Sequence, residues 1–173
     1  MPQIIGSIDN AVPVHSHETY YLIFTDIEIY QFMTMNSREK RYDLYHAQMS
    51  NPNLMLTGGI GMTGYRLTQD EVATILQENI ARGQEIEKNF ESKIKETPHG
   101  YEVIPYSTVS QAELTNGTLV TLPHLLLHTE HKEIKFHLVH DNYKGRGRLS
   151  DETFSKYEEV LRNAFGSALL VKN

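Results

Sequence analysis

Residues 101–171 constrain the fold of this chain more than any other stretch. Four extended segments separated by short turns, Tyr101–Pro105, Thr108–Leu114, Leu119–His128 and Glu133–His140, lead into one amphipathic helix over about Asp151–Leu169. In the last of these segments Ile134, Phe136 and Leu138 alternate with Lys135 and His137, the pattern of a sheet with one buried and one wet face. Asn116-Gly117 is a strong hairpin signal, and Glu130-His131-Lys132 supplies a charged second turn. Ser150 is a good N-cap for the helix, with Asp151 and Glu152 placed favourably for its dipole. Phe154, Tyr157, Val160, Leu161, Ala164, Phe165 and Ala168 form a broad apolar stripe that needs a sheet to cover. The expectation is a meander of antiparallel strands closed by a C-terminal helix.

The chain before this stretch divides in two. Up to about residue 47 it reads as strands: Tyr20–Thr25 and Ile27–Thr34 are rich in Tyr, Phe and Ile, with Thr25-Asp26 between them for a tight reversal or a bulge, and Tyr42–Ala47 alternates more weakly. Residues 50–98 read as an insertion. It opens on the breaker cluster Ser50-Asn51-Pro52-Asn53 and a glycine-rich run, Thr57–Gly64. A long helix follows, with Thr68 as N-cap, Glu71 as capping-box partner and Asp70 in the first turn. Val72, Ile75, Leu76 and Ile80 mark its apolar stripe, and Ile86, Phe90 and Ile94 extend it at i+4 spacing. Gly83 costs about 1 kcal/mol relative to Ala and weakens the case for one unbroken rod. From 69 to 96 such a helix would reach roughly 40 Å. That is more than a small sheet covers, so Ile86, Phe90 and Ile94 are expected to pair with copies of the chain.

At 173 residues, the chain suits a single domain spanning 1–173 with 50–98 inserted. Without Cys it has no disulfide, no thiolate zinc site and no Cys nucleophile. A net charge of −6 argues against a surface shaped as a whole for nucleic acid. Residues 1–9 lack the basic and apolar regions of a signal peptide, and no apolar run approaches the roughly 20 residues of a transmembrane helix. A cytoplasmic protein, not transmembrane, is expected.

Two segments carry a family likeness. Leu22-Ile23-Phe24-Thr25-Asp26-Ile27-Glu28-Ile29-Tyr30 resembles the early hairpin of pleckstrin-homology-like domains of the small prokaryotic and GRAM-related kind, and residues 104–114, from Ile104-Pro105 to Glu113-Leu114, resemble their central segment. The likeness covers roughly residues 15–34 and 101–171, and the 50–98 insertion departs from it. It implies an α+β fold: an antiparallel, partly open β-barrel of about seven strands capped by one C-terminal amphipathic helix. It implies no common enzymatic activity, and members bind phosphoinositides, peptides or proteins. The function expected is therefore a non-catalytic binding or scaffolding module without a cofactor, self-associating or taking a protein or an anionic lipid or phosphate ligand. The alternative is a small barrel enzyme or ligand carrier with a polar pocket between barrel and insertion.

Few local patterns carry chemistry. Gly59-Ile60-Gly61-Met62-Thr63-Gly64 fits G-x-G-x-x-G, but the helix begins beyond its last glycine and no βαβ unit surrounds it, so a connector is the better reading. Along single strands the histidines do not cluster: His124 and His128 would stand about 13 Å apart, and only His15 and His17 form a close pair, at about 7 Å. No metal site is expected. Lys144, Arg146 and Arg148, interleaved with glycines just before a helix, are the candidate anion site, although Asp141, Asp151 and Glu152 flank them. Arg38-Glu39-Lys40-Arg41 is a second basic cluster.

Overall fold

The computed structural model describes residues 1–14, 16, 18–35, 69–97, 99–118, 121–140 and 147–173. Eight strands run β1 (Ile4–Pro13), β2 (Thr19–Thr25), β3 (Glu28–Met35), β4 (Tyr101–Pro105), β5 (Val109–Thr115), β6 (His124–Thr129), β7 (Glu133–Leu138) and β8 (Leu169–Lys172). The helices are α1 (Gln69–Lys88), α2 (Phe90–Glu96) and α3 (Asp151–Phe165). All eight strands join one sheet in the order β4-β3-β2-β1-β7-β6-β5-β8, antiparallel throughout except for β8, which lies parallel to β5. The class is α+β, as expected. The sheet is not closed into a barrel among the described residues, because β4 and β8 remain as its two edges.

Three further expectations are corrected. The C-terminal segments do not form one continuous meander: β4 pairs with β3 at the far edge, and only β5, β6 and β7 run hairpin to hairpin. The chain continues past the helix, whose capping Gly166, at φ 53, turns it into β8. Asn116-Gly117 does not make a two-residue turn, since the strand partner of Thr115 is His124 and not a residue just beyond Gly117. Gly117 adopts φ 81, and Asn116 accepts the Leu149 N–H at 3.0 Å, tying this segment to the start of α3. β1 falls in the stretch that reads as strands, and its register gives it a place that its own pattern does not show. It is the central strand joining the two halves of the sheet, with Ala11 opposite both Tyr20 of β2 and Leu138 of β7.

The turn at Thr25-Asp26 is the tight reversal expected. Thr25 Oγ1 accepts the Glu28 N–H and donates to the Glu28 carbonyl, while Asp26 exchanges hydrogen bonds with Gln3. α3 begins as its sequence suggests, with the Ser150 side chain accepting the Thr153 N–H. Its stripe, Phe154, Tyr157, Val160 and Leu161, closes the main core on Ile8, Leu22, Phe24, Ile29, Leu114, Leu125, Leu127 and Phe136. Gly6 of β1 lets α3 come close: a Cβ there would lie 2.5 Å from Val160 Cγ2.

The inserted helices cover the opposite face of the sheet's first half. Register puts Leu22 and Phe24 on the inner face with α3, and Tyr21, Ile23, Tyr30 and Phe32 on the outer face with Phe90, Ile86 and Ile94. α1 starts over Val12, Met35 and Val139, where Val72, Ile75 and Leu76 pack. A buried polar latch fixes it there. Asn10, at φ 49 in the β1 bulge, accepts from Asn79 Nδ2 at 3.2 Å and donates to the Leu76 carbonyl at 3.5 Å. The helix breaks at Asn89 and not at Gly83: the Asn89 N–H is shared between the Glu85 and Ile86 carbonyls, and its side chain donates again to Glu85 O. Of the extended stripe, Phe90 is buried within the chain at 3% exposure, and Ile86 and Ile94 are partly buried beside it. Self-association through Ile86, Phe90 and Ile94 loses its premise of an uncovered surface.

Candidate functional site: a charged cleft between the sheet and the inserted helices

The sites proposed from the sequence are only partly placed. Lys144 and Arg146 lie outside the described residues, as do His15, His17, the Arg38–Arg41 cluster, residues 42–47 and the Thr57–Gly64 run. Arg148 is exposed, two residues before the α3 N-cap. It follows Gly147, which takes φ 87 and whose carbonyl accepts from His140 Nε2 at 3.2 Å.

Where α1 and α2 diverge from the end of β3 they leave a cleft of about 340 Å³, lined by Met33, Thr34, Met35, Arg82, Glu85, Ile86 and Lys93. Each wall has a local cause. A register irregularity between β2 and β3 pairs Thr19 with Met35 and Tyr20 with Met33, so the end of β3 turns out of the regular ladder. Met33 is 45% exposed while Met35 is buried under α1. Arg82 reaches from α1 to this strand end and donates Nη1–H to the Thr34 carbonyl at 2.8 Å. Beyond the break at Asn89, Lys93 of α2 lines the same space. Ile86, half-buried in the aromatic cluster, forms its floor.

The polar atoms of the cleft are unequally satisfied. Arg82 is pinned by one donor, and no other described residue takes the rest of its guanidinium. Lys93 is half-buried, and no hydrogen bond or ion pair ties its ammonium to another described residue. The exposed Glu85 carboxylate on the same rim is likewise without a described partner. The cleft thus offers two cations and one carboxylate above an apolar floor.

A second group of side chains lies on the outer face of β5–β8, away from α1. His128 stands between Glu113, 3.3 Å from its Nε2, and Glu133, 3.2 Å from its Nδ1, and Lys172 of β8 also pairs with Glu113. These contacts hold the Glu113 carboxyl below its usual range, the Lys172 hydrogen bond first. His124 and His137 stand directly opposite each other on β6 and β7, a pairing that single-strand spacing does not reveal. Burial pushes both imidazoles down, His137 to about 4 with help from Lys135 and His124. His124 Nδ1 lies 3.0 Å from the Leu122 carbonyl. Among the described residues no three His, Asp or Glu side chains converge as a metal site.

Compared with protein-family models, with curated proteins and with solved structures, the chain matches none. Among the described residues no helix is long and apolar enough to cross a membrane.

Reading α1 and α2 as helices from their sequence sorts Arg82 and Glu85 onto a solvated face, and both are exposed. What it leaves out is that β3 ends beneath them. Met33 gives the one usable hint, an apolar residue at the end of a strand beside polar Thr34.

Proposed function

We propose that this chain is a non-catalytic, pleckstrin-homology-like binding module whose ligand seat is the cleft between β3 and the inserted helices. The cleft is the observation that carries the reading, because a concave site with an apolar floor and a few charged groups at its rim is the usual form of a small-molecule site. The fold-level likeness is supported by seven antiparallel strands in unbroken order from β4 to β5, with α3 packed across their inner face. The two segments that carry the likeness support the reading: Leu22–Tyr30 holds the β2–β3 reversal, and residues 104–114 pass from β4 through a single 3₁₀ turn into β5.

The test is amide-shift mapping by NMR with a small-molecule mixture added to the labelled full chain. Shifts confined to Met33, Arg82, Ile86 and Lys93 are expected. Shifts at Arg148 and its neighbours, abolished by replacing Lys144, Arg146 and Arg148 with Ala, would move the seat to the basic loop and overturn the assignment. Light scattering on the same samples tests the self-association expected from the sequence, and a monomer at all concentrations removes it.

A further inference from the structure

Resting on the cleft as the ligand seat, we infer that its ligand is a small amphiphile with one anionic head, carboxylate or phosphate, and a short apolar body. The head lies on the rim to which Arg82 and Lys93 both contribute, and the body lies on Met33 and Ile86.

Charge argues for the head. Two cations, Arg82 and Lys93, face one carboxylate, Glu85, in the lining, so the cleft attracts an anion, and no described residue pairs with Lys93. Arg82 is pre-positioned by its bond to Thr34 O, which lowers the ordering cost of using its remaining donors. Glu85 on the same rim limits the total: with two cations and one carboxylate, the cleft complements about one negative charge and repels a polyanion. A multiply phosphorylated headgroup is therefore the wrong partner.

The floor argues for the body. Met33 is an unbranched thioether that adapts to irregular apolar shapes, and Ile86 adds to the same apolar surface. Met33 is a large apolar side chain left 45% exposed at the mouth of the site. A volume of about 340 Å³ falls at the small end of ligand sites, which favours a short chain over a long one.

The experiment is calorimetric titration of the full chain with octanoate, octyl phosphate and 1-octanol, repeated on Lys93→Gln and Glu85→Gln. Neither residue holds a described side-chain contact, so both variants should fold, and circular dichroism checks that they do. Octanoate or octyl phosphate, whichever head is preferred, should bind at least about fivefold more tightly than octanol. Lys93→Gln should weaken the anion by about threefold to tenfold, Glu85→Gln should strengthen it, and neither should change octanol, since a partly exposed charge contact supplies only part of the range for charged hydrogen bonds. Equal binding of octanol and the anions overturns the charge assignment and leaves the seat standing. Anion binding that ignores both substitutions overturns the inference, as does no binding of any probe; shift mapping with other compounds then decides the seat separately.

Discussion

The ring of Tyr21 lies flat against the backbone of Gly83, so close that a Cβ on residue 83 would sit 1.9 Å from Tyr21 Cδ2. The helix has a glycine there so that it can lie on the sheet, not so that it can bend. Beyond that contact the Tyr21 hydroxyl meets Ser7 Oγ at 2.8 Å and donates to Glu87 at 2.6 Å, and burial with the Glu87 contact raises its pKa. Gly83→Ala should therefore destabilise the protein by about 1–3 kcal/mol, against the roughly 1 kcal/mol gained in helix propensity. Urea unfolding measures it. Adding Tyr21→Ala to Gly83→Ala should cost less than the two single changes together, and a fully stable Gly83→Ala would mean that α1 does not dock on β2.

Phe90 stands edge-on to Tyr30, with ring centroids 4.9 Å apart, and also meets Phe32 at 6.3 Å. Phe90→Ala should cost about 3–5 kcal/mol, a large core truncation. The loss should not vary with protein concentration if the contact is internal. A destabilisation that disappears at high concentration would return Phe90 to an interface between copies.

Leu161 is fully buried where α3 meets the sheet. Leu161→Asp places an unpaired carboxylate among Phe154, Tyr157 and Val160, and a loss of more than about 4 kcal/mol is expected. Thermal unfolding of this variant near the wild-type midpoint would show that α3 does not close the core.

Acid should weaken the fold through His137. Its folded pKa, about 4, lies below the unfolded value of about 6.5, because burial disfavours the imidazolium. The stability linked to a depressed pKa is fully present above pH 6.5 and is lost as pH falls from there toward 4. His137→Gln should flatten the decline of Tm across that window. Each kcal/mol recovered corresponds to roughly 2–4 °C in a chain of this size. Glu113, whose carboxyl is also held down, loses its contribution only at lower pH, so the two titrations separate. Parallel Tm curves for wild type and His137→Gln between pH 6.5 and 4.5 would show that burial of His137 carries no linkage.

Local chemistry alone determined much of this chain. Turn residues at Thr25-Asp26, the Ser150 cap, the alternation in β7 and the 3.6-residue stripe of α3 each act within a few residues, and each holds in the fold. Tertiary structure decided what depends on distant partners. β1 carries Gly6, Asn10 and Pro13 within ten residues, which breaks its alternation, yet it is central because β2 and β7 both supply its hydrogen bonds. β8 is four residues long and has no pattern of its own; it exists because β5 offers an open edge where α3 ends. The burial of Phe90, the use of Gly83 as a close contact, the pairing of His124 with His137 and the lining of one cleft by Met33, Arg82 and Lys93 follow the same rule. Side-chain direction can be read from periodicity, but which surface stands opposite it is set by strand register and by the angle at which a helix crosses a sheet.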